Sequence, residues 1–343
     1  MSKILSTKPY FSVILALLLS TAILNFSKAE GNEHAKTEEK FNVGEVIMHH
    51  IGDEHQWHFA TIGDTHVALP LPVILYSEKE GIKVFSSSHF YHSADGTHEG
   101  YKLEHEHITA LDGSHVKDFS ITKNVASLIL SVVILLAIFF SIASRYKQTQ
   151  GKAPKGLQSA IEPFIIFVRD EIAKTNIGEK HYRRFLPYLL TLFFFIWVNN
   201  LLGLLPGGAN LTGNIAITLT LAILTFVITN VNGKSTYWRH IFAMPGVPWY
   251  MYVILTPVEI VGVFMKPFSL MVRLFANITA GHIILLSLIS LIFIFQSLAV
   301  SPLIAVFSIF MNVIELLVAF LQAFIFTMLT SMYIGSAVEE AHH

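Results

Sequence analysis

The chain has 343 residues, of which 53% are hydrophobic and only 14% charged, with a formal net charge of −1 and no cysteine. Soluble domains carry about 25% charged residues, so this composition excludes a large soluble protein with buried core helices and points to a polytopic helical membrane protein. Bulk charge makes no case for nucleic acid or acidic partners, and the missing cysteines exclude disulfides, thiolate metal sites and cysteine nucleophiles.

The first residues, MSKILSTKPYFSVILALLLSTAILNFSKAE, place Lys3 and Lys8 before an apolar run from about Tyr10 to Phe26. Ser27-Lys28-Ala29 then sets small residues three and one positions before a cleavage point. That is the anatomy of a signal peptide over residues 1–29; an uncleaved first membrane helix is the alternative. Residues 30–118 are polar and hold 12 of the 17 histidines, among them His49, His50, His55, His58, His105 and His107. Such density invites metal binding or proton buffering. No ligand constellation with fixed spacing emerges, and the segment reads as a solvated His-rich extracytoplasmic domain without a metal site. Within it, HVALPLPVILYSEKEGIKVFSSSHF alternates apolar and polar residues around Glu80-Gly81, which predicts a hairpin or short strands.

Hydrophobic spans are predicted near 124–144, 185–205 and 212–231, followed by two longer tracts, 251–297 and 301–337. The connection between the first two spans is rich in Lys and Arg and includes an amphipathic stretch near 157–175 of the kind that lies at an interface. LPGGANLTGN has no Lys or Arg, whereas NGKSTYWRH has Lys234 and Arg239. The positive-inside rule therefore puts 145–184, 232–240 and the C-terminus in the cytoplasm, and 206–213 and the His-rich domain on the other side, in agreement with the signal peptide. As continuous helices the last two tracts would be about 70 and 55 Å long, against a hydrocarbon core of about 30 Å. They must tilt, kink or fold back, with Pro257, Pro267 and Gly281 as bending points, and an antiparallel hairpin turning near Gln296-Ser301-Pro302 is the economical arrangement. The expected fold class is an all-α polytopic membrane protein. It has about five membrane-embedded helices after the signal peptide, the last two long and tilted, with a small, partly β domain over 30–118 and a membrane domain over 119–343.

The hairpin tracts carry Glu259, Lys266, Arg273, His282 and Glu315, whereas 124–144 and 185–231 have no formal charge. Ionisable groups in a bilayer normally face a protein interior or an aqueous cavity and mark ion pathways. Snorkelling is an open alternative for Lys266 and Glu259; Arg273 and Glu315 lie too deep for it. Glu259, Lys266 and Arg273 recur at sevens, and Asn277 lies four beyond, so all four share one helical stripe. Ser308, Glu315 and Gln322 form a second. His282, nine residues after Arg273, projects from the opposite face of an ideal helix. Either the helix distorts near Gly281 or His282 serves a compartment separate from that of Arg273. Arginine keeps its charge and cannot relay protons, while histidine and glutamate can load and release them near neutrality. A fixed cation between two hydrated routes would block a straight leak.

KPFSLMVRLFANITAGH together with FLQAFIFTMLTSMYI closely resembles subunit a of F-type ATP synthases. The similarity covers about residues 124–340, including AIEPFIIFVRDEI and WVNNLLGLLPG, and leaves out the His-rich domain. The resemblance implies a stator subunit in the bacterial inner membrane, lying against a rotating ring of c subunits and joined to the b-subunit peripheral stalk and the other synthase subunits, with no cofactor of its own. It implies that Arg273 faces the ring and pairs transiently with each passing carboxylate, while two offset half-channels deliver and remove the proton. Asn277 and Gln322 match polar positions close to that arginine. Glu259 and Lys266 match the exit half-channel on the cytoplasmic side, and Asn200 and Asn214 the outer intake. Many bacterial members hold an acid and a histidine where this chain holds His282 and Glu315. The reversed order resembles the mitochondrial pattern and implies that the two are neighbours in the outer half-channel. Gly203 stands where some relatives place an acid. A lone secondary transporter would show internal repeats with paired broken helices, which are not found, and a mere anchor gains nothing from buried Arg273 and Glu315. No phosphate-binding loop or nucleophile constellation occurs, so nucleotide chemistry falls to other subunits.

Overall fold

The computed structural model describes residues 52–62, 65–93, 95–104, 106–148, 154–205, 207–244, 246–295 and 300–339. The expected signal peptide, His49, His50, His105, the turn residues from Gln296 to 299 and the last four residues lie outside these. Among the described residues, one compact unit comprises 54–122 and the other 52–53 with 123–339.

In the first unit β1 (Gln56–Ile62) pairs antiparallel with β2 (Thr65–Pro70). β3 (Pro72–Ser77) folds back as β4 (Gly81–Ser86), with Ser77 opposite Gly81. This is the hairpin expected around Glu80-Gly81, and the φ of +75° at Gly81 is a turn conformation that glycine adopts without steric cost. A short helix, α1 (Ser88–His92), precedes the antiparallel meander β5 (Thr97–His98), β6 (Tyr101–Glu104) and β7 (His107–Ala110). β8 (Val116–Asp118) returns to pair with β3. Val73 and Leu75, alternate positions on one face of β3, pack against Phe90, Tyr101 and Ile108. His55, just ahead of β1, is buried with Nε2 2.9 Å from Asp118 and Nδ1 3.6 Å from Glu106. Burial alone would lower its pKa, but the hydrogen bond to Asp118 and the negative charges of Asp118 and Glu106 outweigh that and raise it to about 9. Burial likewise opposes ionisation of Asp118, yet the His55 contact holds its carboxyl below the ordinary value.

The second unit is helical. α2 (Lys123–Gln148) is followed by α3 (Leu157–Phe167), which runs on as seven residues of π-helix, Val168–Lys174, into a last turn, Thr175–Ile177. Then come α4 (Tyr182–Gly203), a 3-10 turn at Leu211–Gly213, α5 (Ile215–Val231), α6 (Ser235–Phe242), α7 (Tyr252–Phe295) and α8 (Ser301–Val338). α2, α4, α7 and α8 are each long and apolar enough to cross a membrane; α5 passes only together with α6, from which it is bent by 103°. The expected span at 212–231 is thus shorter than its apolar run. Asn214 caps α5 by accepting from the Ala216 N–H at 2.9 Å, so the helix starts at Ile215, and Leu211–Gly213 form a separate turn capped by Asn210, which accepts from the Gly213 N–H at 3.1 Å. The 17 residues of α5 then reach about 26 Å at the helical rise, just under the thickness of the hydrocarbon core.

α7 passes through Pro257 and Pro267 as one helix of 44 residues, so neither proline ends it. It pairs antiparallel with α8. His282 meets Glu315 and Lys266 meets Tyr333, so moving 16 residues back along α7 moves the contact 18 residues forward along α8. Hydrocarbon supplies no hydrophobic drive for helices to associate, so close packing and interhelical hydrogen bonds must do it. The buried face of α8 is accordingly small or hydroxylated, with Ala319, Ala323, Thr327, Thr330, Ser331 and Ala337 all at most 1% exposed, while Leu303, Val306, Phe310 and Leu317 face outward. At its end Gly335 lies so near the turn after the π-helix that an added Cβ would sit 2.0 Å from the Asn176 carbonyl oxygen. Asn176 Nδ2 also donates to Ser331 Oγ at 2.9 Å.

Two outcomes follow from this packing. Gly335→Ala must push the two segments apart and should cost about 1–3 kcal/mol, the usual range for overpacking, read as a lower thermal midpoint of the purified protein; an unchanged midpoint would refute the close approach. For His55, a folded pKa raised to about 9 contributes stability that is complete below about 6.5 and fades as pH rises through about 9. Amide exchange at β8 should therefore accelerate between those pH values, beyond its intrinsic pH dependence, in the wild-type chain and not in His55→Ala.

Candidate functional site

The polar residues of α7 and α8 fall into distinct environments. On α8 the stripe Ser308, Glu315 and Gln322 is buried throughout. On α7 Glu259, Lys266 and Arg273 are half-buried and Asn277 is exposed, so that stripe is only partly covered by the rest of the chain. Half-open charges in an apolar medium are costly unless a polar group or water meets them.

His282 and Glu315 come together. Both are buried, and His282 Nδ1 lies 3.6 Å from Glu315 Oε1. The helix is unbroken through Gly281, so His282 is reached without a break in it. The residue faces α8, on a different side of α7 from Arg273 and about 13 Å further along the axis at 1.5 Å per residue. Gly281 acts through space, not as a bend: an added Cβ would lie 3.3 Å from Glu315 Oε1, which leaves a side-chain-bearing residue little room beside the carboxylate. At 3.6 Å the pair is just beyond hydrogen-bond length, an ion pair whenever the imidazole is protonated.

Arg273 makes no hydrogen bond or ion pair among the described residues; Tyr333 on α8 is its electrostatic neighbour. The hairpin register set by His282 and Glu315 places Gln322, seven residues further along α8, level with residue 275, between Arg273 and Asn277. Lys266 is turned inward: its Nζ lies 5.4 Å from the Tyr333 ring and 6.0 Å from the Tyr237 ring, distances at which an ammonium is attracted to an aromatic face. Glu259 is the electrostatic neighbour of both Lys266 and Tyr237.

Asn200 and Asn214 are engaged in holding the fold. Asn200 Nδ2 donates to the Ala319 carbonyl at 3.1 Å and its Oδ1 accepts from Thr212 Oγ1 at 2.6 Å, tying α4 to α8 and to the turn before α5. Asn214 is the cap of α5. Sequence reasoning missed a ladder of hydroxyls: Tyr188 Oη lies 2.9 Å from Thr225 Oγ1, which lies 3.5 Å from Thr330 Oγ1. The signal was present, since Thr218, Ala222, Thr225 and Thr229 recur at four, three and four, one face of α5, and all are buried. In a chain read for buried apolar stripes, a stripe of threonine is easily passed over.

Comparison with known proteins bears on the region that holds these residues. The family model described as ATP synthase A chain matches residues 125–335, and a second, described only as a domain of unknown function, matches 46–128. A protein named ATP synthase subunit a 2 from Prosthecochloris aestuarii is 40% identical over 348 aligned positions, covering 97% of this chain and 94% of its own length. ATP synthase subunit a of Chloroherpeton thalassium is 45% identical, over 66% of this chain and 69% of its own. That of Chlorobium phaeobacteroides is 41% identical, over 87% and 78%. With a family match spanning α2 to α8 and 40% identity along nearly the whole length of a relative, this chain belongs to the ATP synthase subunit a family.

Proposed function

We propose that this protein is the proton-translocating stator subunit of the F-type ATP synthase membrane sector, and that Arg273 faces the carboxylates of a c-subunit ring across the half-open side of α7. The observation that carries the reading is the contrast along the hairpin. A guanidinium with no ion-pair partner among the described residues sits midway along α7, while a histidine–carboxylate pair is buried on another side of the same helix. The two chemistries are complementary. A guanidinium holds its charge at any physiological pH, so it can attract a passing carboxylate and bar a travelling proton. An imidazole beside a carboxylate can accept a proton and pass it on.

In this reading His282 and Glu315 belong to the outer half-channel, which Ser308 extends outward and to which Asn200 and Asn214 lend structural support. Glu259 and Lys266 border the inner one, and Asn277 and Gln322 keep the surroundings of Arg273 polar. A proton entering past His282 and Glu315 cannot pass Arg273 directly and leaves only by riding a ring carboxylate around to the inner side. Each proton crossing 100 mV releases about 2.3 kcal/mol, and the detour is what couples that energy to rotation. The b-subunit stalk holds the subunit against the ring, and nucleotide chemistry takes place elsewhere in the complex. The Lys- and Arg-bearing connections at 145–184 and 232–240 orient the chain with these segments and the C-terminus on the cytoplasmic side of a bacterial inner membrane and the His-rich segment 30–118 on the extracytoplasmic side.

In the assembled enzyme Arg273→Ala should abolish coupled synthesis and ATP-driven proton pumping, with passive leak through the membrane sector; normal pumping by that variant would sink the assignment. His282→Ala or Glu315→Ala alone should lower proton flux by at least about tenfold, a modest estimate for loss of a proton-transfer group. The double exchange His282→Glu with Glu315→His should restore part of that flux. If the exchanged enzyme is no better than the worse single variant, the two residues do not work as a pair.

A further inference from the structure

A small cavity lies where α5, α6, α7 and α8 meet, lined among others by Thr229, Asn230, Tyr237, Lys266 and Tyr333. Its volume is about 10 Å³, roughly the space that one water molecule needs. Two of its lining residues carry polar groups without a hydrogen-bond partner among the described residues. One is the Thr229 hydroxyl, whose oxygen is shielded in a residue only 4% exposed. The other is the Lys266 ammonium, held between the rings of Tyr333 and Tyr237. Ring faces attract the ammonium but accept none of its three N–H bonds in the usual directional sense. Beside them Asn230 Oδ1 accepts from Tyr237 Oη at 3.2 Å and retains a second lone pair.

We propose that this cavity is a hydration site that takes one water molecule, bridging the Lys266 ammonium to the Thr229 hydroxyl. The ammonium donates to the water oxygen, and the water donates to Thr229 Oγ1, with Asn230 Oδ1 as the available second acceptor. A buried water typically makes about three hydrogen bonds, and the site offers two unsatisfied groups and, in Asn230 Oδ1, a third partner with a free lone pair. The bridge resolves two costs at once, because an unpartnered hydroxyl and an unsolvated ammonium are each expensive in an apolar interior. Charged and titratable groups near Lys266 are Glu259 and Arg273 on its own helix, Tyr237 on α6 and Tyr333 on α8. No carboxylate contacts the ammonium among the described residues, so water is the group that solvates it two helical turns from Arg273. The consequence for the inner half-channel rests on the function proposed above; the hydration site itself does not.

The test uses the complete ATP synthase in lipid nanodiscs, imaged at a resolution that shows ordered water. Density within hydrogen-bond distance of both Lys266 Nζ and Thr229 Oγ1 is expected in the wild type, lost in Thr229→Val and kept in Thr229→Ser. A dry cavity in the wild type, or density that survives Thr229→Val, overturns the site. In parallel, ATP-driven pumping is compared for Thr229→Val, Lys266→Met and the double variant. A shared water predicts that the double loses no more than the larger single loss, and fully additive losses overturn the bridge. The density reports on hydration whatever the pumping does, whereas wild-type pumping in Lys266→Met would remove Lys266 from the inner route.

Discussion

Hydrocarbon has no hydrogen-bonding capacity, and that constraint places the polar groups of the helical unit. A hydroxyl, amide or charge on the outside of these helices would be unsatisfied, so such groups gather where helix meets helix. The result inverts the pattern of a soluble core: Thr218, Thr225 and Thr229 on α5, Thr327, Thr330 and Ser331 on α8, and Asn199 and Asn200 on α4 are buried, while leucine, valine and phenylalanine cover the exterior. The small size of the inner residues lets backbones approach closely, down to the contact between Gly335 and the Asn176 carbonyl. Close packing and polar satisfaction are therefore met by the same residues.

The exceptions to this rule are the informative positions. Arg273 is only half-buried and without an ion-pair partner among the described residues, and Asn277 is exposed, on a helix that otherwise shows its surroundings large apolar side chains. Isolated, such an arrangement would be costly in lipid. It becomes sensible if a polar partner slides past that side of α7. Lys266 illustrates the opposite solution, with its charge folded back onto two tyrosine rings of the same chain. One helical stripe thus carries two cations of different character, one turned inward and one left open.

The first unit obeys different physics. Its strands alternate inward and outward residues as water-facing sheets do, and the buried His55, at the start of the unit's sequence, gathers the partly open carboxylates of Glu106 and Asp118 from its far part. This arrangement is strongest at mildly acidic to neutral pH, where the imidazole is protonated and the carboxylates are ionised.

Much of this was legible without coordinates. Apolar run lengths located the long helices, since a span of given thickness needs a set number of residues. Sevenfold spacing placed Ser308, Glu315 and Gln322 on one buried face, and the reversed order of His282 and Glu315 against the family pattern anticipated their contact. Glu80-Gly81 marked the β3–β4 turn because few residues other than glycine tolerate its backbone angles. What only the tertiary structure decided were the relations that periodicity cannot encode. The capping by Asn214 shortened α5, Asn200 proved to be a tie between helices, Gly281 made room for a carboxylate where a bend had been expected, and Lys266 met its tyrosines across two other helices. Local sequence specifies which face of a helix a residue occupies; which group stands opposite depends on register, rotation and distance between helices, and those are set by the packing of the whole bundle.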